Sequence, residues 1–299
     1  MFPYNSGVTI LQVVILAVVQ GLAELLPVSS SAHVIIVEKL LGLDPASPAM
    51  TLLLVMLHTG TMFAVIAYFW NDWRDTYFRS AASFKQFAKL LILATVLTGV
   101  VGGPIILGIE RTAGRGLPHA EIEDLFSHLE LIAPALAAAG ILILIAGFRE
   151  RQRSAGSAAG PAAAVELNAT QAGIMGAVQG LCLPFRGFSR SGATISAGLL
   201  TGAAKARAEA FSFALAVVIT PPVVAREALR LVKAQHAAGA PVLGSALVPS
   251  LLGAFLAFCA GLLALRWLSQ WLRTGRWYVF GIYCLIAAAV VAYLYHAGY

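Results

Sequence analysis

The chain has 299 residues, of which 59% are hydrophobic and 11% are charged, whereas soluble domains carry roughly a quarter charged residues. This composition excludes an ordinary soluble protein and indicates an integral membrane protein. The formal charge of +6 comes from basic residues in short loops beside apolar runs, a positive-inside pattern that implies membrane lipids and no nucleic acid as partners. The cysteines, Cys182, Cys259 and Cys284, lack metal-ligand spacing, so we expect neither disulfides nor zinc.

The first half of the chain, residues 1–148, opens with an apolar region at 8–42 that Pro27 and three serines interrupt in its middle. Apolar segments at 51–70, 86–108 and 130–147 follow without interruption. Each is near the length of about 20 residues that crosses a bilayer as a helix.

An Ala-, Gly- and Ser-rich stretch at 149–169 predicts a cytoplasmic linker, and the second half, 170–299, then repeats the pattern. A broken region at 170–203 precedes further spans at 211–230, 247–266 and 277–296. We therefore predict one all-α polytopic membrane domain over 1–299, with about six transmembrane helices and two broken helical regions.

The loop charges predict how the broken regions sit in the membrane. Basic residues follow the spans at 51–70 and 130–147 and also follow 170–203, so those flanks should be cytoplasmic. Region 170–203 would then enter and leave on the inner face, and region 8–42 on the outer face. A weak repeat, Gln20-Gly21-Leu22 against Gln179-Gly180-Leu181, adds to this prediction of two re-entrant helix-loop-helix hairpins in an inverted-topology repeat, which typically meet near the bilayer midplane.

Ionisable side chains at membrane depth are costly, so those inside apolar segments are candidates for function. Glu24, His33, His58 and Arg190 stand out, and Gln20 shares a helix face with Glu24 at i,i+4. Taken alone, His33 indicates a core histidine; beside Glu24 and three serines it indicates a site. His58 fits packing and site lining equally well.

Each broken region resumes as a short helix, whose N-terminus favours an anion. Two such ends would cradle a diphosphate with hydroxyls and backbone amides. The predicted contacts are Ser29, Ser30 and Ser31 in the first region and Gly187, Ser189, Ser191, Gly192 and Thr194 in the second, with Arg190 as a fork of donors. Gly187 and Gly192 would let the backbone approach the phosphates. The alternative is that Ser29 to Ser31 are helix N-caps, and Arg186 is either a second phosphate contact or a side chain reaching water.

Two of these motifs resemble the signatures of a known family. Gln20-Gly-Leu-Ala-Glu24-Leu-Leu-Pro27-Val-Ser29-Ser-Ser-Ala-His33 is similar to the first signature of the undecaprenyl-diphosphatases, the bacitracin-resistance family, and Gly187-Phe-Ser189-Arg190-Ser191-Gly192-Ala-Thr194 is similar to the second. Gln20 replaces the first acidic position of the family pattern, one residue is added between Pro184 and Gly187, and an arginine usual in the last span is absent near Tyr283.

The resemblance implies a phosphatase that splits undecaprenyl diphosphate at the outer face of the bacterial plasma membrane with a divalent cation, Mg²⁺ or Ca²⁺, and it allows a homodimer. We expect Glu24, His33, Arg190 and Ser29 to be catalytic and Glu24 and Gln20 to hold the metal. Three candidates for the nucleophile stay open: His33, a serine and water. The rival function is a polyprenyl-phosphate transporter or flippase, because opposed broken hairpins are common in secondary transporters.

Overall fold

The structure is a computed structural model that describes residues 8–44, 47–113, 129–156, 166–185, 187–238 and 243–297. Every regular element in these ranges is a helix, which confirms the all-α prediction. The helices are α1 Ile10–Leu25, α2 Ser30–Leu40, α3 Pro48–Thr76, α4 Ala81–Ala113, α5 Leu129–Gly156, α6 Ala169–Cys182, α7 Arg190–Leu200, α8 Lys205–Ala238, α9 Leu243–Arg273 and α10 Tyr278–His296.

Six of these helices, α3, α4, α5, α8, α9 and α10, are long and apolar enough to cross a membrane. They correspond to the six predicted spans, and most extend beyond them because the helical backbone continues through flanking charged residues such as Arg74. The predicted linker at 149–169 is partly helical, since α5 continues to Gly156; residues 157–165 lie outside the described ranges.

The other four helices form two short pairs, α1–α2 and α6–α7, of 16, 11, 14 and 11 residues. At about 1.5 Å per residue, each is shorter than a hydrocarbon core of about 30 Å. The breaks lie at 26–29 and 183–189 and contain Pro27 and Pro184. The helical breaks are therefore where the sequence predicts them, and re-entry from opposite faces stays a prediction.

The two pairs begin alike and dock alike. Thr9 with Gln12 and Asn168 with Gln171 form equivalent capping boxes. Helix α1 packs along α9, where a Cβ on Gly21 would lie 2.6 Å from Ala260 Cβ. Helix α6 packs in the same way along α4, where a Cβ on Gly180 would lie 2.5 Å from the Thr98 carbonyl oxygen. Glycine at both positions allows each short helix to approach the long helix of the other half.

Helices α5 and α10 pack antiparallel and position the breaks. Tyr295 of α10 donates to Glu130 of α5 at 2.9 Å, while at the other end Gly147 lies against Tyr278. The first break contacts α10 two turns from its start, since Cys284 Sγ donates to the Pro27 carbonyl oxygen at 3.3 Å, and Cys284 lies beside Gly140 of α5. The second break contacts the start of α5, since a Cβ on Gly187 would lie 2.7 Å from the Ile132 carbonyl oxygen. The two breaks therefore contact the α5–α10 pair at different levels along its length.

Candidate active site

Glu24 is the centre of the polar groups between the two breaks. It stands in the last turn of α1 with its side chain 17% exposed. Ser30 Oγ donates to its Oε2 at 2.5 Å, and Arg190 Nη2 donates to its Oε1 at 3.0 Å. A charge-assisted hydrogen bond of this length is among the stronger polar interactions. The structure thus joins the two predicted motifs through one carboxylate.

Two further side chains approach Glu24. Gln20 Nε2 donates to Oε2 at 3.2 Å, which follows from the i,i+4 spacing on α1. His58 Nε2 lies 3.9 Å from the same oxygen. His58 therefore lies near Glu24, although it is not among the residues that line the cavity beside it.

Ser30 and Arg190 hold equivalent positions, because each is the first residue of its helix, α2 or α7. Two helix N-termini thus converge on Glu24. The positive end of a helix dipole stabilises a nearby anion by roughly 0.3–1 kcal/mol. The two helix N-termini therefore favour negative charge at the position of Glu24, whereas the sequence analysis placed a diphosphate at these ends, which stays a prediction.

Beside Glu24 lies a cavity of about 180 Å³. Most of the predicted phosphate contacts line it together with Glu24: Ser29, Ser30, Ser31, Ser189, Arg190 and Ser191. Its apolar wall comes from Ala23, Cys182, Leu183, Phe185 and Phe188. Arg190 Nη1 is buried here and has no hydrogen-bond partner among the described residues. Burying such a donor without a partner costs energy, so the guanidinium has a hydrogen bond to offer.

Ser29 has an unusual backbone conformation. Its φ of 66° is in the left-handed region, which non-glycine residues rarely adopt and which is often strained at functional sites. Its side chain makes no N-cap hydrogen bond to α2; its Oγ lies 3.3 Å from Ser31 Oγ. The N-cap interpretation is therefore wrong for Ser29, whereas Ser189 does cap α7 by accepting from the Gly192 N–H at 3.2 Å.

His33 is bonded at both ring nitrogens. Its Nδ1 lies 2.8 Å from the Ser29 carbonyl oxygen, which can only accept, so Nδ1 carries the hydrogen. Its Nε2 lies 2.7 Å from Tyr283 Oη, and the two rings are stacked. His33 is not among the residues that line the cavity. His33 therefore contacts the backbone of Ser29, and Ser29 in turn lines the cavity.

Three other predicted contacts serve packing. Thr194 is fully buried, and its hydroxyl bonds to the Arg190 carbonyl oxygen and to Ser212. The space beside Gly187 is taken by Ile132 and the space beside Gly192 by Ile143, both of α5. The expectation that these glycines make room for phosphate is therefore corrected, because their missing side chains make room for a helix. Arg186 lies outside the described residues.

Sequence reasoning missed Tyr283 as a partner of His33. A polar hydroxyl within an apolar span is a weak signal, and only the fold brings residues 250 positions apart into contact. It also missed the cavity wall formed by Phe185 and Phe188.

The described residues contain no group of three or more His, Cys, Asp or Glu that could hold a metal. Glu24 is the one carboxylate among the residues lining the cavity, and Gln20 presents its amide nitrogen to it. Mg²⁺ commonly binds through one or two carboxylates together with substrate phosphates. Both oxygens of Glu24 already accept hydrogen bonds from Gln20, Ser30 or Arg190, so a cation at this site would have to take most of its ligands from a bound phosphate.

Comparisons with known proteins cover nearly the whole chain. Residues 13–290 match the model of a family described as bacitracin resistance protein BacA. Undecaprenyl-diphosphatase 2 of Acinetobacter baylyi is 56% identical over 290 residues, which cover 96% of this chain and 98% of that protein. Undecaprenyl-diphosphatase of Gluconacetobacter diazotrophicus is 34% identical over 301 residues, covering 96% and 97%.

Proposed function

Because this chain belongs to the bacitracin resistance protein BacA family, we propose that it hydrolyses undecaprenyl diphosphate to undecaprenyl phosphate and inorganic phosphate. The product is the lipid carrier for cell-wall polymers, and its recycling would underlie resistance to bacitracin. One observation supports this function most directly: Arg190 is fixed by Glu24 beside a hydroxyl-lined cavity and keeps a buried nitrogen without a partner.

The diphosphate binds in this cavity. Arg190 donates from Nη1 to phosphate oxygens while Nη2 stays on Glu24, since a guanidinium can bond in two directions at once. Ser30, Ser31 and Ser191 line the same space. Catalysis of phosphoryl transfer consists mainly of positioning and charge neutralisation, and this arrangement provides both.

A divalent cation, Mg²⁺ or Ca²⁺, would be held by Glu24 together with the phosphates of the substrate. When bound, it neutralises charge that develops on the phosphate oxygens. Gln20 orients the carboxylate through its hydrogen bond to Oε2, and its oxygen serves as a ligand only if the amide turns over.

The attacking oxygen comes from a cavity hydroxyl, that of Ser29 or Ser30, or from water. This oxygen bonds to the terminal phosphorus and loses its proton, and the bond from that phosphorus to the bridging oxygen breaks. The freed oxygen takes up the proton as undecaprenyl phosphate is released. If a serine attacks, water then hydrolyses the phosphoserine. His33 is the weaker candidate for nucleophile because both of its nitrogens are engaged. It acts as a positioning residue that holds the backbone of Ser29.

The two halves form an inverted-topology repeat with re-entrant hairpins. Three features support this: equivalent capping boxes at Thr9 and Asn168, reciprocal docking of α1 on α9 and α6 on α4, and breaks that contact the α5–α10 pair at different levels along its length. With the basic flanks inside, the first hairpin enters from the outer face of the plasma membrane, and the site opens there.

Purified protein in detergent should release phosphate from undecaprenyl diphosphate when Mg²⁺ or Ca²⁺ is present. Glu24→Gln should reduce the rate at least a hundredfold, while Glu130→Gln, a carboxylate bonded to Tyr295 away from the cavity, should keep it. The repeat also favours a transporter as second candidate. Lipid movement across liposomes without phosphate release would support the transporter and overturn the phosphatase.

A further inference from the structure

A second cavity, of about 470 Å³, lies where α5 ends, α8 begins and α9 turns into α10. We call it the basic-turn pocket. Its lining residues are Glu150, Arg151, Lys205, Arg273, Thr274, Gly275, Arg276 and Tyr278. It shares no lining residue with the cavity beside Glu24, so it is a separate feature of the molecule.

The charges of the basic-turn pocket are unbalanced, with four basic side chains against one carboxylate. Lys205 Nζ pairs with Glu150 Oε1 at 2.7 Å, whereas Arg273 has only a longer-range electrostatic attraction to the buried side chain of Glu209. Within the described residues, no carboxylate lies within salt-bridge distance of Arg151 or Arg276. Arg151 and Arg276 are therefore the least compensated cations of the pocket and the main ones available to an anionic ligand.

The turn that carries Arg276 is fixed by backbone hydrogen bonds. Gly275 has a φ of 70°, the Arg276 N–H donates to the Trp271 carbonyl at 2.8 Å, and the Gly275 N–H donates to the Leu272 carbonyl at 3.2 Å. These are the two bonds of a Schellman motif, which ends α9 with satisfied carbonyls. The turn that lines this side of the pocket therefore has a defined backbone conformation.

Its neighbours on the membrane side are aromatic. Tyr278 lines the pocket and stacks on Phe148 at 5.7 Å between ring centroids, and Phe148 is 49% exposed. The Arg151 guanidinium lies 6.0 Å from the Tyr278 ring. A cationic pocket beside exposed aromatic surface suits a molecule with an anionic head and an apolar body, which a free phosphate ion is not.

The positive-inside rule explains basic residues in loops at this end of the helices. It does not require residues from three separate parts of the chain to surround one cavity. We infer that the basic-turn pocket binds the phosphate headgroup of an anionic membrane lipid, with Arg151 and Arg276 as its main contacts and the Phe148–Tyr278 pair against its chains. Basic pockets between transmembrane helices bind phospholipid headgroups in this manner.

Native mass spectrometry of the detergent-purified protein would test this binding. Phosphatidylglycerol and phosphatidylcholine with identical acyl chains are titrated, and the apparent Kd of the first bound lipid is measured. Phosphatidylglycerol should bind the parent protein more tightly. In the double variant Arg151→Gln/Arg276→Gln its Kd should rise roughly twentyfold or more, at a factor of about five for each arginine near the surface, while phosphatidylcholine is unaffected.

The matched control is Arg149→Gln/Arg266→Gln, which removes two exposed arginines of α5 and α9 that lie outside the pocket. Phosphate release in lipid-free detergent confirms that both double variants are folded. An equal loss of phosphatidylglycerol binding in the control would overturn the inference in favour of diffuse surface charge. So would equal binding of the two lipids by the parent, or displacement of phosphatidylglycerol by inorganic phosphate at similar concentration.

Discussion

Replacement of Arg190 by alanine tests the proposed site most sharply. The substitution removes the 3.0 Å bond to Glu24 and the free Nη1 together. Removing one preorganised donor from a site of developing charge typically lowers the rate about 10²–10³-fold, and we expect a loss of that size in kcat/KM. The variant Arg190→Lys keeps the charge but not the fork of donors. Its kcat/KM should therefore lie between that of the parent protein and that of Arg190→Ala.

The stability cost of the same change follows from the contacts of Glu24. Losing a hydrogen bond to a charged group costs roughly 1.5–3 kcal/mol. We expect the lower part of this range, because Ser30 and Gln20 still donate to the carboxylate. Thermal unfolding of the purified variant measures this cost, and phosphate release from undecaprenyl diphosphate measures the activity.

Arg153→Ala serves as the matched control. Arg153 also bridges two parts of the chain, by donating to the carbonyl oxygens of Leu199 and Leu200, but it does not line the active-site cavity. It should lose stability while its kcat/KM stays within about threefold of the parent, a tolerance well below the effect expected at the site. The reasoning is refuted if Arg190→Ala keeps parental activity or if both variants lose activity equally.

Three further results are expected. Tyr283→Phe removes the hydroxyl that holds His33 and should lower kcat about three- to tenfold, the worth of one neutral hydrogen bond, with KM unchanged; a wholly inactive variant would mean that Tyr283 contacts the substrate. Gly180→Ala places a Cβ 2.5 Å from the Thr98 carbonyl oxygen and should lower stability by roughly 1–3 kcal/mol, whereas Gly103→Ala, with open space around it, should be neutral or slightly stabilising; equal melting temperatures would contradict the close helix approach. Chelation of divalent cations should abolish phosphate release without lowering the melting temperature, and readdition of Mg²⁺ or Ca²⁺ should restore it; activity that survives chelation excludes the metal.

The spans could be predicted because hydropathy is a local property of the sequence. Their ends could not, since a helix continues as long as its backbone hydrogen bonds do, and charged residues such as Arg74 are no obstacle at a membrane surface. The helical breaks were also predictable, because Pro27 and Pro184 each interrupt an apolar run.

The members of the site were predicted better than their arrangement. Glu24 and Arg190 stood out because a charge inside an apolar segment is costly. Their mutual bond spans 166 positions, and no short-range pattern encodes it. The left-handed backbone of Ser29 had no signal either, since it depends on how the break is packed.

Small residues misled the prediction for a physical reason. Gly187 and Thr194 sit in the phosphate-like motif, but one makes room for α5 and the other bonds to Ser212 of α8. Close packing of helices in a membrane needs small and hydroxyl-bearing residues, and so does phosphate binding. Sequence alone cannot separate these two demands.

The bond between Glu24 and Arg190 has a consequence for biosynthesis. The ribosome completes Glu24 long before Arg190, so the carboxylate enters the membrane before its cation exists. A truncated chain that ends before the second half therefore has no site, and an unfinished product should be inert rather than partly active. Conversely, two halves produced as separate polypeptides should regain phosphatase activity only when they associate, so activity itself would report that the protein has been assembled.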